Sequence, residues 1–384
     1  MAEKEIQRIL TEILYSVVNG TEEAPDIAQR LTEETLISVC RLAKKHDVLH
    51  VVSRFVFANK LTLSDAVRSR LEHEEFVSVY RLGQMKHAFC EICDTLDGAG
   101  IAYVPLKGSV LRPYYPYESM RTSCDIDILI KETDIDKAVF CFEKLGYKTE
   151  GRNYHDVSLY SPSKIHLELH FNVLENIDNL DSVLKDAWKH TVPVSGARHK
   201  FSDEFFAFHI FSHMAYHFVS GGCGIRSLLD VWVMKHKMGL TAESAKALLT
   251  KAGIYKFAEE MTNIADLSFT DNGTDAFSDS VLKYIYSGGV YGNAENSITV
   301  KKTKSGNIIR YTLKRLFLPY RTMVTAFPIL KKAPFLLPFC WVIRWIKAIF
   351  NKKSGRISSE VSYASSISEE KLKETKALLD RLQL

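Results

Sequence analysis

Two aspartates one residue apart, Asp125-Ile126-Asp127, mark the stretch of this 384-residue chain with the clearest chemical character. In an extended strand, residues two apart share a face. Both carboxylates therefore project one way, and Cys124, Ile126, Ile128 and Ile130 are expected to point the other way, into a core. Neighbouring carboxylates repel, and they are stable as a pair only when a cation neutralises them or one keeps a proton. Magnesium accepts such oxygen ligands and is commonly held by one or two carboxylates together with substrate phosphates. A third carboxylate is offered by Ile165-His166-Leu167-Glu168-Leu169-His170-Phe171, where apolar and polar residues alternate. If this strand lies beside the Asp strand, Glu168 joins Asp125 and Asp127. Three carboxylates suffice for two metal ions about 4 Å apart, an arrangement that activates a hydroxyl and stabilises the leaving oxygen of an in-line displacement.

Lys107-Gly108-Ser109 offers the phosphate side of such a site. A glycine at a strand-to-helix turn lets backbone N–H groups approach a polyphosphate, the Ser109 hydroxyl adds a donor, and Lys107 adds charge. Arg112 and Arg121 lie on the segment returning to the Asp strand, and either can neutralise phosphate. Arg226 has two readings: an intrahelical ion pair with Asp230, or a reach across the cleft to phosphate.

These residues need elements to hold them. Ile101 to Leu106 and Asp125 to Ile130 read as strands, as do residues 157–161 and 164–171, joined by the turn Ser161-Pro162-Ser163. Between them, Ile135, Ala138, Val139, Phe142 and Leu145 form a helical stripe that starts after Thr133 or Asp134 and stops at Gly146. Helical periodicity also runs through Ile6, Ile9, Leu10, Ile13 and Leu14, through Leu36, Val39, Leu42 and Ala43, and from Glu74 to Leu96. It returns over 203–220, 224–238, 242–253 and 368–382. The expected fold is α+β: a small mixed β-sheet core flanked by N-terminal and C-terminal helical segments. Its expected divisions are a helical region (1–98), the catalytic core (99–200), a helical domain (201–300), a basic aromatic helical segment (301–356), and a loose linker with a terminal helix (357–384). The Ser-rich stretch 352–367 is expected to be loose. No internal repeat is visible.

Bulk composition narrows the class. An apolar fraction of 46% can build a proper core. The first residues, Met1-Ala2-Glu3-Lys4-Glu5, do not read as a signal peptide, and seven irregularly spaced cysteines argue against a disulfide framework, so a cytoplasmic location is expected. Cys90 and Cys93 form a C-x-x-C without a second pair; two half-buried thiols are weighed against a redox or zinc role. From Lys301 to Arg356 there are fourteen Lys/Arg and no Asp or Glu. That asymmetry points to an anionic partner, either nucleic acid or a membrane surface. Trp341 and Trp345, with Phe335, Phe339, Arg344 and Lys347 around them, suit a helix at a membrane surface. They equally suit a helix packed on the core with a basic outer face. The apolar run 334–343 is too short to span a bilayer.

Other histidines carry competing readings. His213 and His217, four apart, share a helical face and suit a structural role, a nucleotide or acceptor contact, or zinc without a third ligand at useful spacing. His166 and His170 are either supports for metal ligands or plain polar strand positions.

The order Gly-Ser, then Asp-x-Asp on a strand, then a carboxylate on a later strand resembles the DNA polymerase beta-like nucleotidyltransferases. The fuller string Leu106-Lys107-Gly108-Ser109, Tyr115, Arg121 and Asp125-Ile126-Asp127-Ile128-Leu129 resembles one bacterial branch of uncharacterised nucleotidyltransferase family proteins. The resemblance extends through the His-Leu-Glu-Leu-His strand, Gly224, Arg226 and Asp230, to the Pro-rich aromatic segment. It implies Asp125, Asp127 and Glu168 as catalytic metal ligands, magnesium (two ions), and a nucleoside triphosphate held by Lys107, Gly108, Ser109, Arg121 and Arg226. The implied reaction moves a nucleoside monophosphate to a hydroxyl acceptor and releases pyrophosphate, with Glu168 as candidate base. The sequence departs from the superfamily pattern twice: Lys107 stands for the first glycine, and fifteen residues separate Ser109 from Asp125. The alternatives are a binding module that keeps the fold without catalysis, and a hydrolase or phosphotransferase using the same metals.

Overall fold

The computed structural model describes residues 3–270, 273–350 and 354–384. Its centre is a seven-stranded mixed sheet in the order β3-β4-β5-β2-β1-β7-β6. The strands are β1 (Tyr103–Pro105), β2 (Asp125–Ile130), β3 (Lys148–Arg152), β4 (Asp156–Tyr160), β5 (His166–His170), β6 (Thr191–Ser195) and β7 (Arg198–Phe201). β2 sits in the middle, antiparallel to β1 and parallel to β5. The parallel β2–β5 pair requires a crossover, supplied by the helix Ile135–Lys144 together with the β3–β4 hairpin.

Strand alternation assigns the two faces of this sheet. Ile126, Ile128 and Ile130 of β2 join Leu167 and Leu169 of β5 and Val157 and Leu159 of β4 in one buried cluster. Ala138 and Phe142 of the crossover helix, and Met85, Ile92 and Leu96 of the long helix Asp65–Gly98, cover that face. Asp125, Asp127, Glu168 and His170 are left for the opposite face. Cys124 departs from the expected alternation: it precedes the strand, is exposed, and bonds toward Tyr291 rather than entering the core.

The opposite face is roofed by helices. Ile9, Leu10, Ile13 and Leu14 from the N-terminal helix share one core with Phe205, Phe208, Val231 and Phe257 from the later helices. Val104, Leu106 and Leu129 of the sheet belong to that same core. The N-terminal and central helical segments thus act as one body, and the polar face of β2 and β5 lies against it.

Some elements were not expected. Leu49–Ala58 is a helix, and β6–β7 add a hairpin at the sheet edge, the position where a strand tolerates a proline such as Pro193. The expected loose stretch 352–367 contains the helix Ser354–Ser366, while residues 352 and 353 of it lie outside the described residues. Ala364 and Ile367 are buried with Ile298 and Tyr311, so burial overrides the weak helix propensity of serine. Cys90 lies exposed and Cys93 half-buried on the long helix, both as free thiols.

Candidate active site

The site begins where β1 ends. Lys107 follows the strand at φ +41°, a conformation that costs a side-chain-bearing residue roughly 1–2 kcal/mol. It occupies the place of the pattern's first glycine, which would adopt that angle freely. The lysine brings a cation in exchange: its Nζ lies 3.3 Å from Asp127 Oδ1. Burial opposes the Lys107 charge, but Asp127, Glu175, Asp125 and Glu168 more than reverse this and raise its pKa.

Gly108 follows, and its lack of a side chain is required by Arg121. A Cβ at position 108 would stand 2.7 Å from Arg121 Nη1. The guanidinium cannot easily retreat, because Nε and Nη2 donate to the two oxygens of Asp230 at 2.9 Å each. Tyr115 donates its hydroxyl to Asp230 Oδ1 at 2.6 Å, and burial keeps it a phenol by pushing its pKa well up. Arg112 donates to the Arg121 carbonyl and to Ser123 Oγ. The loop 107–123 is therefore clamped to the helix Ile225–Met238 through one buried carboxylate. Of the two readings of Arg226, the intrahelical pair with Asp230 does not form. Arg226 donates instead to Asp47 Oδ2 and to the Thr122 carbonyl, both at 2.9 Å. Asp230 is already committed to Arg121.

Across the turn stand the carboxylates. The β2–β5 register puts Asp125 opposite His166 and Asp127 opposite Glu168. Ligand atoms of Asp125, His166 and Glu168 lie within 4.8 Å of one another, as do those of Asp127, Glu168 and His170. Glu168 thus belongs to both groups. His170 Nε2 donates to Asp127 Oδ1 at 2.8 Å and stands 3.3 Å from Glu168 Oε2. Burial alone would discharge His170, but its bonds to Asp127 and Glu168 push its pKa up to about 9. His166 is fixed by Ser158 Oγ at 2.6 Å and stacks on Tyr160. Both histidines therefore brace the carboxylate cluster from within the sheet.

The carboxylates differ in state. Burial acts to neutralise Asp127, yet Lys107 and His170 hold it far below the usual carboxylate range. The His170 bond also lowers Glu168. Asp125 is held above its usual range by burial and by Asp127 beside it. A donor set of carboxylate oxygens carrying unrelieved repulsion at Asp125 fits a hard divalent cation.

Lys107, Gly108, Ser109, Arg121, Asp125, Asp127 and Arg226 all line one cleft of about 260 Å³. Glu168 is not among the residues lining it; it stands one strand away, beside Asp127. The facing wall is helical and contributes His213 and His217. His213 Nδ1 bonds Glu175 Oε1 at 2.8 Å, and His217 Nε2 bonds His213 Nε2 at 3.1 Å. With Glu175 ionised, His213 donates from Nδ1 and accepts at Nε2, so His217 donates from Nε2 and keeps a lone pair on Nδ1. Burial lowers both histidines, His217 to about 3. The described metal-capable groups include neither.

Sequence reasoning missed Glu175, Asp47, Tyr291 and the clamp role of Asp230. Glu175 lies in a patternless loop after β5, and Asp47 and Asp230 act on partners far away in the chain.

No curated protein and no solved structure matches the chain. A family described as uncharacterised nucleotidyltransferase matches residues 34–270, more than half the chain, including the cleft's turn, both aspartates, Glu168 and the helical wall up to Asp230. The chain belongs to this nucleotidyltransferase family.

Proposed function

We propose that the protein transfers a nucleoside monophosphate from a nucleoside triphosphate to a hydroxyl acceptor, releasing pyrophosphate. The observation that carries this reading is the convergence of Asp125 and Asp127, the latter registered against Glu168, with the Lys107-Gly108-Ser109 turn in one cleft. Asp125, Asp127 and Glu168 would hold magnesium, which supplies charge neutralisation for the phosphates and lowers the pKa of a bound hydroxyl.

The chain's own residues do the rest. Gly108 lets phosphate oxygens come close to the backbone, and the Ser109 hydroxyl donates to them. Lys107 meets the phosphates with a charge kept by its acidic neighbours. Arg121 and Arg226 add positive charge on the helical side, each fixed in direction by its carboxylate partner. Rigid donors of this kind stabilise charge without reorganising during the reaction.

The base role falls more naturally to the facing wall than to Glu168, whose carboxylate is occupied by His170. The acceptor's O–H proton passes to His217 Nδ1, and the Glu175–His213 chain steadies the resulting imidazolium. The freed oxygen attacks the α-phosphorus, the bond from that phosphorus to the bridging oxygen breaks, and pyrophosphate departs with the electron pair. Glu168 remains a ligand.

The test is thermal stabilisation by magnesium and each triphosphate, alone and together. The reading expects a joint stabilisation by at least one triphosphate that Asp127→Asn removes. No stabilisation by any combination, or one indifferent to Asp127→Asn, would refute it.

A further inference from the structure

Residues 318–345 pack around a small core of their own, next to the helix Ile308–Leu316, whose Tyr311 is buried with Ile298, Ala364 and Ile367. Met323, Leu330 and Cys340 are that small core, with Leu318, Phe327 and Trp341 packed around them. The helix Leu337–Phe350 turns its tryptophans inward: Trp341 Nε1 donates to the Leu318 carbonyl at 2.8 Å and Trp345 Nε1 to that of Leu316 at 3.0 Å. The face turned away from this core is not the basic outer face that a helix packed on the core would show. It is an apolar stripe of Phe335 (76% exposed), Phe339 (66%), Val342 (46%), Ile343 (43%) and Ile346 (49%), with Phe335 in the turn just before the helix. The helix Ile308–Leu316 adds a second stripe, Ile309 and Leu313, continued by Phe317.

Single exposed apolar residues are ordinary, whereas periodic stripes mark an interaction surface. Charge narrows the partner. Residues 301–356 hold fourteen Lys/Arg and no acid. Arg310, Lys314, Lys331 and Lys332 are exposed, with no acidic partner among the described residues. A nucleic acid would take up the charge but leave branched aliphatic side chains in water, since bases stack on aromatic rings. A bilayer with anionic headgroups takes up both: phosphates meet Lys and Arg, and the acyl boundary receives Phe, Ile and Val. Crossing is not the geometry on offer, because no described helix is long and apolar enough to span a membrane.

We propose that residues 309–346 dock this protein on an anionic lipid surface. Phe335, Phe339 and Ile343 enter the boundary between headgroups and acyl chains, and Arg310, Lys331 and Lys332 meet headgroup phosphates. The docking stands independently of nucleotide transfer.

The experiment is co-sedimentation of the full chain with vesicles of equal parts phosphatidylcholine and phosphatidylglycerol, with phosphatidylcholine alone as control, at low and high salt. The expected result is binding to the mixed vesicles, at least about tenfold weaker to the neutral ones and weakened by salt. Phe335→Ser/Phe339→Ser and Lys331→Glu/Lys332→Glu each reduce binding by about tenfold or more. All four positions are exposed, so melting temperatures are expected to stay at the wild-type value, which separates lost docking from lost folding. Absence of vesicle binding by the wild type overturns the proposal, as does binding that ignores the phenylalanine change. Binding to a single-stranded RNA oligomer instead, lost only with the lysine change, reassigns the surface to nucleic acid. Self-association without vesicle binding, lost with the phenylalanine change, reassigns it to a second copy of the chain.

Discussion

The two walls of the cleft are both at least half-buried, yet they solve burial in opposite ways. The sheet wall keeps its inner pair charged: Asp127 is held ionised by Lys107 and His170, and His170 is held protonated by Asp127 and Glu168, while Asp125 at the edge is raised. The helical wall keeps its histidines neutral: His209, His213 and His217 are all lowered by burial. Charge is affordable on the sheet because opposite signs sit within hydrogen-bond reach, set by strand register. On the helix, among the described residues, His213 bonds one carboxylate and His217 bonds His213, so the proton is given up. One wall is thereby suited to holding cations and phosphates, and the other presents neutral imidazoles to the cleft.

The sharpest way to break this contrast is at Asp127. Asp127→Asn keeps the shape but removes the charge that Lys107 and His170 balance. The expected loss of transferase rate is about a thousandfold or more, read as pyrophosphate release. A loss under tenfold would mean that the sheet wall is structural.

Next in size is Asp230→Ala. It leaves Arg121 buried without its bidentate partner, and the expected destabilisation is about 3–5 kcal/mol, read by urea unfolding. Arg121→Met/Asp230→Leu is expected to recover part of that stability, since no lone charge then stays buried. The double change would still lower triphosphate affinity.

Acid offers a test of the helical side. His46, beneath the helix Ile225–Met238, accepts from the Ile225 N–H at Nδ1 and donates from Nε2 to the Tyr286 carbonyl. Burial lowers its pKa to about 4. A pKa lowered on folding means that the unfolded chain binds the proton first. Its stabilising effect is present in full above pH 6.5 and is lost as pH falls through about 4. The loss for this residue is at most about 3 kcal/mol. Melting temperatures between pH 7 and pH 4 are expected to fall, and His46→Gln to flatten that fall. A melting temperature that rises on acidification would contradict the assignment.

The mildest intervention is on the proposed base. His217→Ala is expected to lower kcat by about a hundredfold while leaving KM for the triphosphate within a few fold. The acidic limb of the pH–rate profile should flatten with it. A change in KM alone would make His217 a binding residue.

What the sequence shows of all this follows a physical line. β2 and β5 are legible because alternation of Ile and Asp, or of Leu with His and Glu, is a local signal. Their pairing is not local, so the sequence offers Glu168 beside Asp127 only as a condition on how the strands pair. Lys107-Gly108-Ser109 is legible as a phosphate turn, but its strain at Lys107 and its contact with Arg121 are tertiary. A spacing of four invites Asp230 to pair with its helical neighbour Arg226, one of the two readings of that arginine. The fold sends Asp230 to Arg121 and Arg226 to Asp47 instead. Leu49–Ala58 hides because His-Val-Val-Ser-Arg-Phe-Val-Phe carries β-branched and aromatic residues that read poorly as helix.

The central claim is that the acidic strand pair moves a nucleotidyl group. It is tested most directly by incubating the full chain with magnesium, cell extract as acceptor source, and each triphosphate labelled at either the α- or the γ-phosphate. The account predicts that α-label alone enters an acceptor fraction, with matching pyrophosphate release, and that Asp127→Asn abolishes both. Transfer of γ-label with nucleoside diphosphate release, or α-label transfer undiminished in Asp127→Asn, would contradict it.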